Sequence, residues 1–528
     1  MRIVKIAVVS LFLGVTLGAD FDLLIRDARV VDGAGSPWFR ADVGVRGDLI
    51  VAVGALSGKT ADQIVDAGGL VLSPGFIDVH THVEGRSGRG IEGIPDAQNF
   101  LRDGVTSIVT GNCGSSVIDV GKWFGQLQEL GISVNLATLV GHNTVRRTVM
   151  GQANRAPTSE EMEGMQKLVE RALAEGAVGF STGLLYIPGT YADTEEVVAL
   201  ATVAGRFGGI YASHIREQGA GLHDSVREAA QVGQQAGTAV QISHFKIKGR
   251  SRWGRIGEAL ELVESFRHRG VDIAIDAYPY ERASTNLGVN LPSWALADGS
   301  EAVANRLADP EIRNRIIQEM ESMLEEGGYG DFSFATIANY RPQPEWAGKT
   351  IAQVTSEMGR PSSVDAQIET VLEMQLAGGA QMIYHYMSLE DVRTIYRYPN
   401  TAVASDGGVQ EPNGSKPHPR SYGTNARVLG KFVREERILT LEEAVRRMTS
   451  LPAGRFGFLD RGLIRPGMKA DLVLFDPETV ADKATYGDPH HYSEGFRHVL
   501  VNGSFVIRDG ELSDRRPGRI LRHRRRVE

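Results

Sequence analysis

Eight short runs of apolar and β-branched residues recur through the middle of this 528-residue chain, and each ends on polar or small residues. They close at Asp78-Val79-His80, Thr110-Gly111-Asn112, Leu139-Val140-Gly141, Phe180-Ser181-Thr182, Ala212-Ser213-His214, Ile242-Ser243-His244, Ile275-Asp276-Ala277 and Ala404-Ser405-Asp406. Helical patterns fill several of the gaps, such as Ser159 to Glu175 and Asp193 to Phe207. Strands alternating with helices predict a parallel sheet, and eight of them predict an α/β fold of the (β/α)8 TIM-like barrel type. In such a barrel the C-terminal ends of the strands converge on one mouth. The polar strand ends therefore predict where the chemistry is.

Both ends of the chain read differently. Leu23-Leu24-Ile25, Ala28 to Val31, Asp42 to Val45 and Leu49 to Val53 are short strands separated by turn residues, and Asp471 to Phe475, Val499 to Gly503 and Phe505 to Ile507 repeat that texture. Two such pieces can pair into one small β-sandwich domain, here 20–72 with 462–528, flanking a barrel over 73–461. Between Ala277 and Ala402 the chain is longer than one helix needs. Residues of about 286–345, with a helical pattern from Ile312 to Glu326, predict an inserted lid over the barrel mouth. A ninth strand-like run, Met382 to Tyr386, leaves the strand count open by one. The basic tail from Arg515 to Arg526 reads as a frayed, solvated end.

A net charge of -8 gives no sign of a nucleic-acid partner, and a single cysteine excludes an internal disulfide. Arg2 and Lys5 precede an apolar stretch from Ile6 to Ala19 that ends in small residues, the pattern of a signal peptide over 1–19. That stretch is shorter than the roughly 20 apolar residues a membrane span needs. An exported protein, periplasmic or secreted, is expected, with no stable membrane span after processing.

His80 and His82 stand two apart at a strand end, so both imidazoles face one side and can reach one ion. His214 and His244 each follow a serine after a β-rich run, at matching barrel positions. Asp406 ends the last strand as a candidate ligand and general base. Cys113, in Gly111-Asn112-Cys113-Gly114, would bring a thiolate to the same mouth. Thiolate and imidazole are donors that zinc prefers, so a metal-dependent hydrolase is the first reading.

Asp78, His80, His82, His214, His244 and Asp406, framed by the split β-domain, resemble the amidohydrolase superfamily. Ser73 to His82 resembles its first-strand signature, and Arg465-Pro466-Gly467-Met468-Lys469-Ala470-Asp471-Leu472-Val473 its C-terminal one. Within it the chain is most similar to the N-acyl-D-amino-acid deacylases (D-aminoacylases). Gly111 to Gly114, Gly183 to Gly189, the two Ser-His segments, Asp276 to Tyr280 and His418-Pro419-Arg420 carry that resemblance, which covers nearly the whole chain after the leader.

The resemblance implies that Cys113, His214 and His244 hold one tight Zn2+. His80, His82 and Asp406, with Cys113 bridging, would form a second site that is weak or often empty. A carboxylated lysine bridges two metals in hydantoinase-like members; the fourth strand here, Ala177 to Gly183, has no lysine. Asp406 would take the proton of the attacking water and pass it to the leaving amine, and Tyr186 would hydrogen-bond the developing oxyanion. Arg420 can grip a substrate carboxylate in two parallel hydrogen bonds. Lys246, two residues after His244, would share its strand face and add a point charge, and Tyr278 and Ser284 match positions that bind the same carboxylate. The expected substrate is a small-molecule N-acylated D-amino acid. A dipeptide with a C-terminal D-residue is the alternative, ahead of a cyclic amide or a non-catalytic binding relative. The segment Asn413 to Lys416 lengthens the stretch before Arg420 relative to the family pattern.

Overall fold

Val105–Thr110 and Gly179–Gly183 are buried at every position. Such strands have both faces covered, which is why they read as continuous apolar or small runs rather than as an alternation. The computed structural model describes residues 19–85 and 90–523. The leader expectation covers residues 1–19, of which 1–18 lie outside the described residues.

The eight runs form strands β1 (Phe76–Asp78), β2 (Val105–Thr110), β3 (Asn135–Thr138, resumed at Val140–Gly141), β4 (Gly179–Gly183), β5 (Ile210–His214), β6 (Val240–Ile242), β7 (Ile273–Ala277) and β8 (Thr401–Val403). They lie in two parallel arcs, β1-β2-β3 and the resumed part of β3 followed by β4-β5-β6-β7-β8. Backbone hydrogen bonds from Val178 N to Thr138 O (2.9 Å) and from Leu139 N to Thr110 O (2.8 Å) cross the break in β3. At the other end Thr81 and Gly407 form an isolated parallel bridge. Asp406 N donates to His80 O and His82 N to Gly407 O, both at 2.8 Å.

Helices cover the outer face. Ser159–Ala174 opens on a capping box between Thr158 and Glu161, and Thr194–Arg206 on the Asp193 side chain; such caps satisfy backbone N–H groups that have no partner inside the helix. Both helices begin and end within a residue or two of the sequence reading.

Strands from both chain ends share one nine-stranded sheet. The two ends join where Leu472–Phe475 runs antiparallel to Val71–Pro74, Val473 facing Ser73. Leu23, Ile25, Val43, Ile50, Leu72, Leu472 and Leu500 pack in one apolar cluster on this sheet, so it curls around a core of its own.

After β7 the chain leaves the arcs. Ala283–Asn286, Gln381–Tyr384 and Ala335–Asn339 form an antiparallel sheet in which Gln381–Tyr384 is central. With helices that include Pro310–Gly327 and Val364–Leu376, this segment encloses a separate core from Leu287 to Tyr384. The ninth strand-like run therefore belongs to this inserted segment. The excursion also extends beyond residue 345, because the returning strand pairs with the departing one. The basic tail is not frayed through residue 523. Gly518 N donates to Ile132 O (2.8 Å), Leu521 N to Leu136 O (2.7 Å) and His523 N to Gly176 O (3.1 Å), which ties it to the strand-entry side of the arcs. Among the described residues no helix is long and apolar enough to cross a membrane.

Candidate metal centre

The strand ends converge as the alternation predicts. β2 delivers Cys113, β5 His214 and β6 His244, and the chain just past β1 and β8 delivers His80, His82 and Asp406. Cys113 Sγ lies 3.4 Å from His80 Nε2, 3.5 Å from His214 Nδ1 and 3.6 Å from His244 Nε2. His214 Nδ1 and His244 Nε2 are 2.8 Å apart. Asp406 Oδ1 is 3.0 Å from His82 Nε2 and 3.5 Å from His80 Nε2, and its Oδ2 is 2.8 Å from the Arg420 guanidinium. Three overlapping donor groups result: His80, His82 and Cys113; Cys113, His214 and His244; His80, His244 and Asp406.

Cys113, His214, His244 and Asp406 are held in the charge states a metal requires, whereas His80 and His82 are raised and favour the proton. Burial pushes the Cys113 thiol up, but the imidazoles of His80, His244 and His214 override it and hold the thiol well below its usual range. Burial lowers His214 and, helped by the Lys246 ammonium, carries His244 well below an ordinary histidine. Burial would raise Asp406, yet Arg420, His80 and His82 keep it well below the usual carboxylate range. His82 is raised to about 9 against its burial by the Asp406 hydrogen bond and the Cys113 charge.

Asp276, at the end of β7, braces the cluster from behind. Its Oδ1 accepts from His80 Nδ1 (3.1 Å) and from His244 N (2.7 Å), and its Oδ2 from Gln241 Nε2 (3.0 Å). Asp78 accepts from the backbone N–H of His80 and of Ser405. Gln218 lies 3.3 Å from His244 Nδ1 and 3.5 Å from Lys246 Nζ. The sequence reading gave neither Asp276 nor Gln218 a role. Asp276 carried a signal, as a carboxylate closing an apolar strand; Gln218, in the loop after β5, carried none.

Of the remaining expected residues, Tyr186, Ser284 and Arg420 line a cavity of about 1190 Å³ with His82, Cys113 and Asp406, the inserted segment facing them, while Lys246 and Tyr278 are buried beside His244. The Tyr186 ring packs edge-on against His214 with centroids 4.6 Å apart. Burial and the Cys113 charge hold its phenol well above the usual range, so it stays a donor. Arg420 stacks over Tyr278, 4.7 Å from the ring centroid, and Lys246 Nζ is 5.5 Å from the same ring. The Tyr278 hydroxyl is buried and finds no partner among the described residues. Burial lowers Lys246 to about 7.

Two placements differ from the sequence reading. β6 ends at Ile242, and His244 is left-handed with φ of 37°. A shared strand face therefore does not bring Lys246 to His244; the turn after the strand does. The Ser284 hydroxyl donates to Met382 O (2.8 Å) inside the lid sheet, and it is the Ser284 backbone carbonyl that accepts from Arg420 (3.3 Å). Ser284 thus lines the cavity without turning its hydroxyl to the anchor.

The chain is similar to known proteins over nearly its whole length. The Amidohydrolase family profile matches residues 63–225 and 319–507. An N-acyl-D-glutamate deacylase of Alcaligenes xylosoxydans xylosoxydans is 36% identical over 523 residues, covering 95% of this chain and 96% of that protein. A D-aminoacylase of the same organism is 36% identical over 525 residues, covering 95% and 97%. The crystal structure of the N-acyl-D-glutamate deacylase of Bordetella bronchiseptica, complexed with zinc and a phosphonate mimic of the tetrahedral intermediate, superposes with a TM-score of 0.81 at 35% identity, over 95% of this chain and 99% of that one.

Proposed function

Since the chain belongs to the amidohydrolase family, we propose that it hydrolyses N-acyl-D-amino acids to a carboxylate and a free D-amino acid. The observation that carries the reading is the Cys113 sulfur, 3.4 to 3.6 Å from three imidazole nitrogens and set beside the Asp406–Arg420 pair. The D configuration is carried by full-length relatives that act on N-acyl-D-amino acids.

The donors fit zinc. Tetrahedral Zn2+ with bonds of about 2.3 Å to sulfur and 2.0–2.1 Å to nitrogen sets those atoms roughly 3.6 Å apart. The distances from Cys113 Sγ to His214 and His244 are 3.5 and 3.6 Å, while the two imidazole nitrogens, 2.8 Å apart, stand closer than the roughly 3.3 Å of that geometry. Cys113, His214 and His244 would hold the tight ion, and His80, His82 and Asp406 a weaker second one. A zinc at these donors supplies an activated water and polarises the scissile carbonyl.

The chain's own residues do the rest. Asp406, ionised at neutral pH, takes the proton of the attacking water and carries it to the leaving amine. Tyr186 donates its phenol proton where charge develops on the carbonyl oxygen. Arg420 and Lys246 hold the substrate α-carboxylate, and the unpartnered Tyr278 hydroxyl gains a partner when that carboxylate arrives. Arg420 then exchanges Asp406 for substrate, which frees the base as the site fills. The two arcs are read as one (β/α)8 barrel over 73–461. The terminal strands form a β-sandwich domain, and the protein is exported by its leader.

The test is release of amine from N-acetyl-D-amino acids, N-acetyl-L-amino acids and L-D dipeptides by zinc-loaded protein, with zinc content measured alongside for Cys113→Ala. Release from the D series, with zinc lost in the variant, supports the reading. No release from any D-substrate by stoichiometrically loaded enzyme rejects it.

A further inference from the structure

Tyr186 has two neighbours whose only evident business is to fix it. Its phenol accepts a hydrogen bond from Thr285 Oγ1 at 3.0 Å. Thr285 comes from the lid strand Ala283–Asn286, where it pairs with Met382. On the backbone side, Asn143 Nδ2 donates to Tyr186 O (3.0 Å) and to Gly183 O (3.1 Å), and Asn143 Oδ1 accepts from Gly183 N (3.2 Å). Asn143 is 3% exposed, so one buried amide closes the loop between the end of β4 and Tyr186. The seat is tight: a Cβ on Gly114 would come within 2.0 Å of Asn143 Oδ1.

We propose that Thr285 and Asn143 are positioning residues for Tyr186, one setting the direction of its phenol proton and the other the height of its backbone. A phenol oxygen has one proton and two lone pairs. When Thr285 donates to a lone pair, the Tyr186 proton is left free to point at the cavity. The same bond polarises the phenol and makes it a stronger donor. Asn143 holds the Tyr186 carbonyl, so the ring cannot slide along His214 away from the reacting carbonyl. Because Thr285 sits on the lid, the tyrosine is in place only when the lid strand is. The lid thereby acts on the chemistry as well as on the shape of the cavity. This inference rests on the oxyanion role given to Tyr186 above.

A double-mutant cycle tests it. Thr285→Val keeps the side-chain shape and removes the donor; Asn143→Asp keeps the acceptor and removes both donors. Each is made alone and combined with Tyr186→Phe, with kcat, KM and bound zinc measured on an N-acetyl-D-amino acid. Losing an oxyanion donor lowers kcat by roughly 10²–10³, which is the expectation for Tyr186→Phe. Thr285→Val is expected to lower kcat about 10-fold and leave KM within about twofold, a loss confined to the transition state. In the Tyr186→Phe background the same change should cost nothing further, because the group it serves is gone. Zinc content should stay at the wild-type level throughout. Unchanged kcat in Thr285→Val, or equal losses in both backgrounds, overturns the proposal while the role of Tyr186 stands. Unchanged kcat in Tyr186→Phe removes that role, and the proposal with it. Should Asn143→Asp fail to fold, the Thr285→Val arm still decides.

Discussion

The brace behind the metal cluster gives the sharpest forecast. Asp276 is 1% exposed and accepts three hydrogen bonds, from His80 Nδ1, His244 N and Gln241 Nε2. Asp276→Ala leaves three buried donors bare, at about 1–3 kcal/mol each, or roughly 3–9 kcal/mol together. That is a large share of the ~5–15 kcal/mol by which a domain is stable. Asp276→Asn behaves differently. Its Oδ1 can still accept from His80 and His244, while its new amide faces Gln241. Gln241 Oε1 has no partner among the described residues, so turning that amide over restores the third bond. Asn should therefore cost the fold at most about 1 kcal/mol. What it loses is charge: a neutral amide makes His80 a poorer donor, and the expected drop in metal affinity is about 10–100-fold. Urea unfolding of chelator-treated wild type, Asp276→Asn and Asp276→Ala, followed by zinc titration of the first two, separates these effects. An Ala variant with the wild-type midpoint, or an Asn variant as unstable as Ala, would refute the hydrogen-bond accounting.

Asp406→Asn should lower kcat by about 10²–10⁴ while zinc stays bound through Cys113, His214 and His244; wild-type turnover would strip Asp406 of its role. Arg420→Met removes the cation that holds Asp406 low, so the acid limb of kcat/KM should move to higher pH and KM should rise; an unmoved limb would break the assigned coupling. Burial sets Lys246 at about 7, so the ammonium is present below that pH and lost above it. KM for a carboxylate substrate should rise as pH climbs through 7, and Lys246→Met should flatten that rise; a rise that persists in the variant would assign it to another group.

Much of this was legible in the sequence, for a physical reason. In arcs of consecutive parallel strands, position along the chain maps onto position round the mouth. A polar residue closing each apolar run is then enough to bring Cys113, His214, His244 and Asp406 together, although 293 positions separate the first from the last (406 − 113). The lid was less legible because its return strand, Gln381–Tyr384, has the same apolar texture as a barrel strand, and only pairing with Ala283–Asn286 reveals its place. The tail misled because its arginines suggest solvent, whereas Arg516 and Arg519 pair with Asp96 and Asp48, Arg522 donates to Glu175 O, and the backbone bonds to the strand-entry side. Leu136 N donates to Arg519 O at 2.9 Å and Leu521 N to Leu136 O at 2.7 Å. The Ser284 hydroxyl turned away because the lid sheet offered it the Met382 carbonyl.

Strand periodicity failed at the residues that matter most, and the failure has a cause. Cys113, His244 and Asp406 adopt φ of 52°, 37° and 52°, a left-handed conformation that costs residues with a side chain about 1–3 kcal/mol each. All three lie just beyond their strands, where an extended chain would alternate its side chains between core and helix layer. Turning left-handed lets the backbone swing away while the side chain stays over the mouth. Neighbouring hydrogen bonds hold the turns: His244 N to the Asp276 carboxylate at 2.7 Å, Asp406 N to His80 O at 2.8 Å and Gly407 N to Ser405 Oγ at 3.0 Å. Two of those anchors, Asp276 and His80, belong to the cluster and its brace. The strained turns and the donor set therefore support each other, and a substitution that relaxes one of the turns should loosen the metal site even though it removes no ligand.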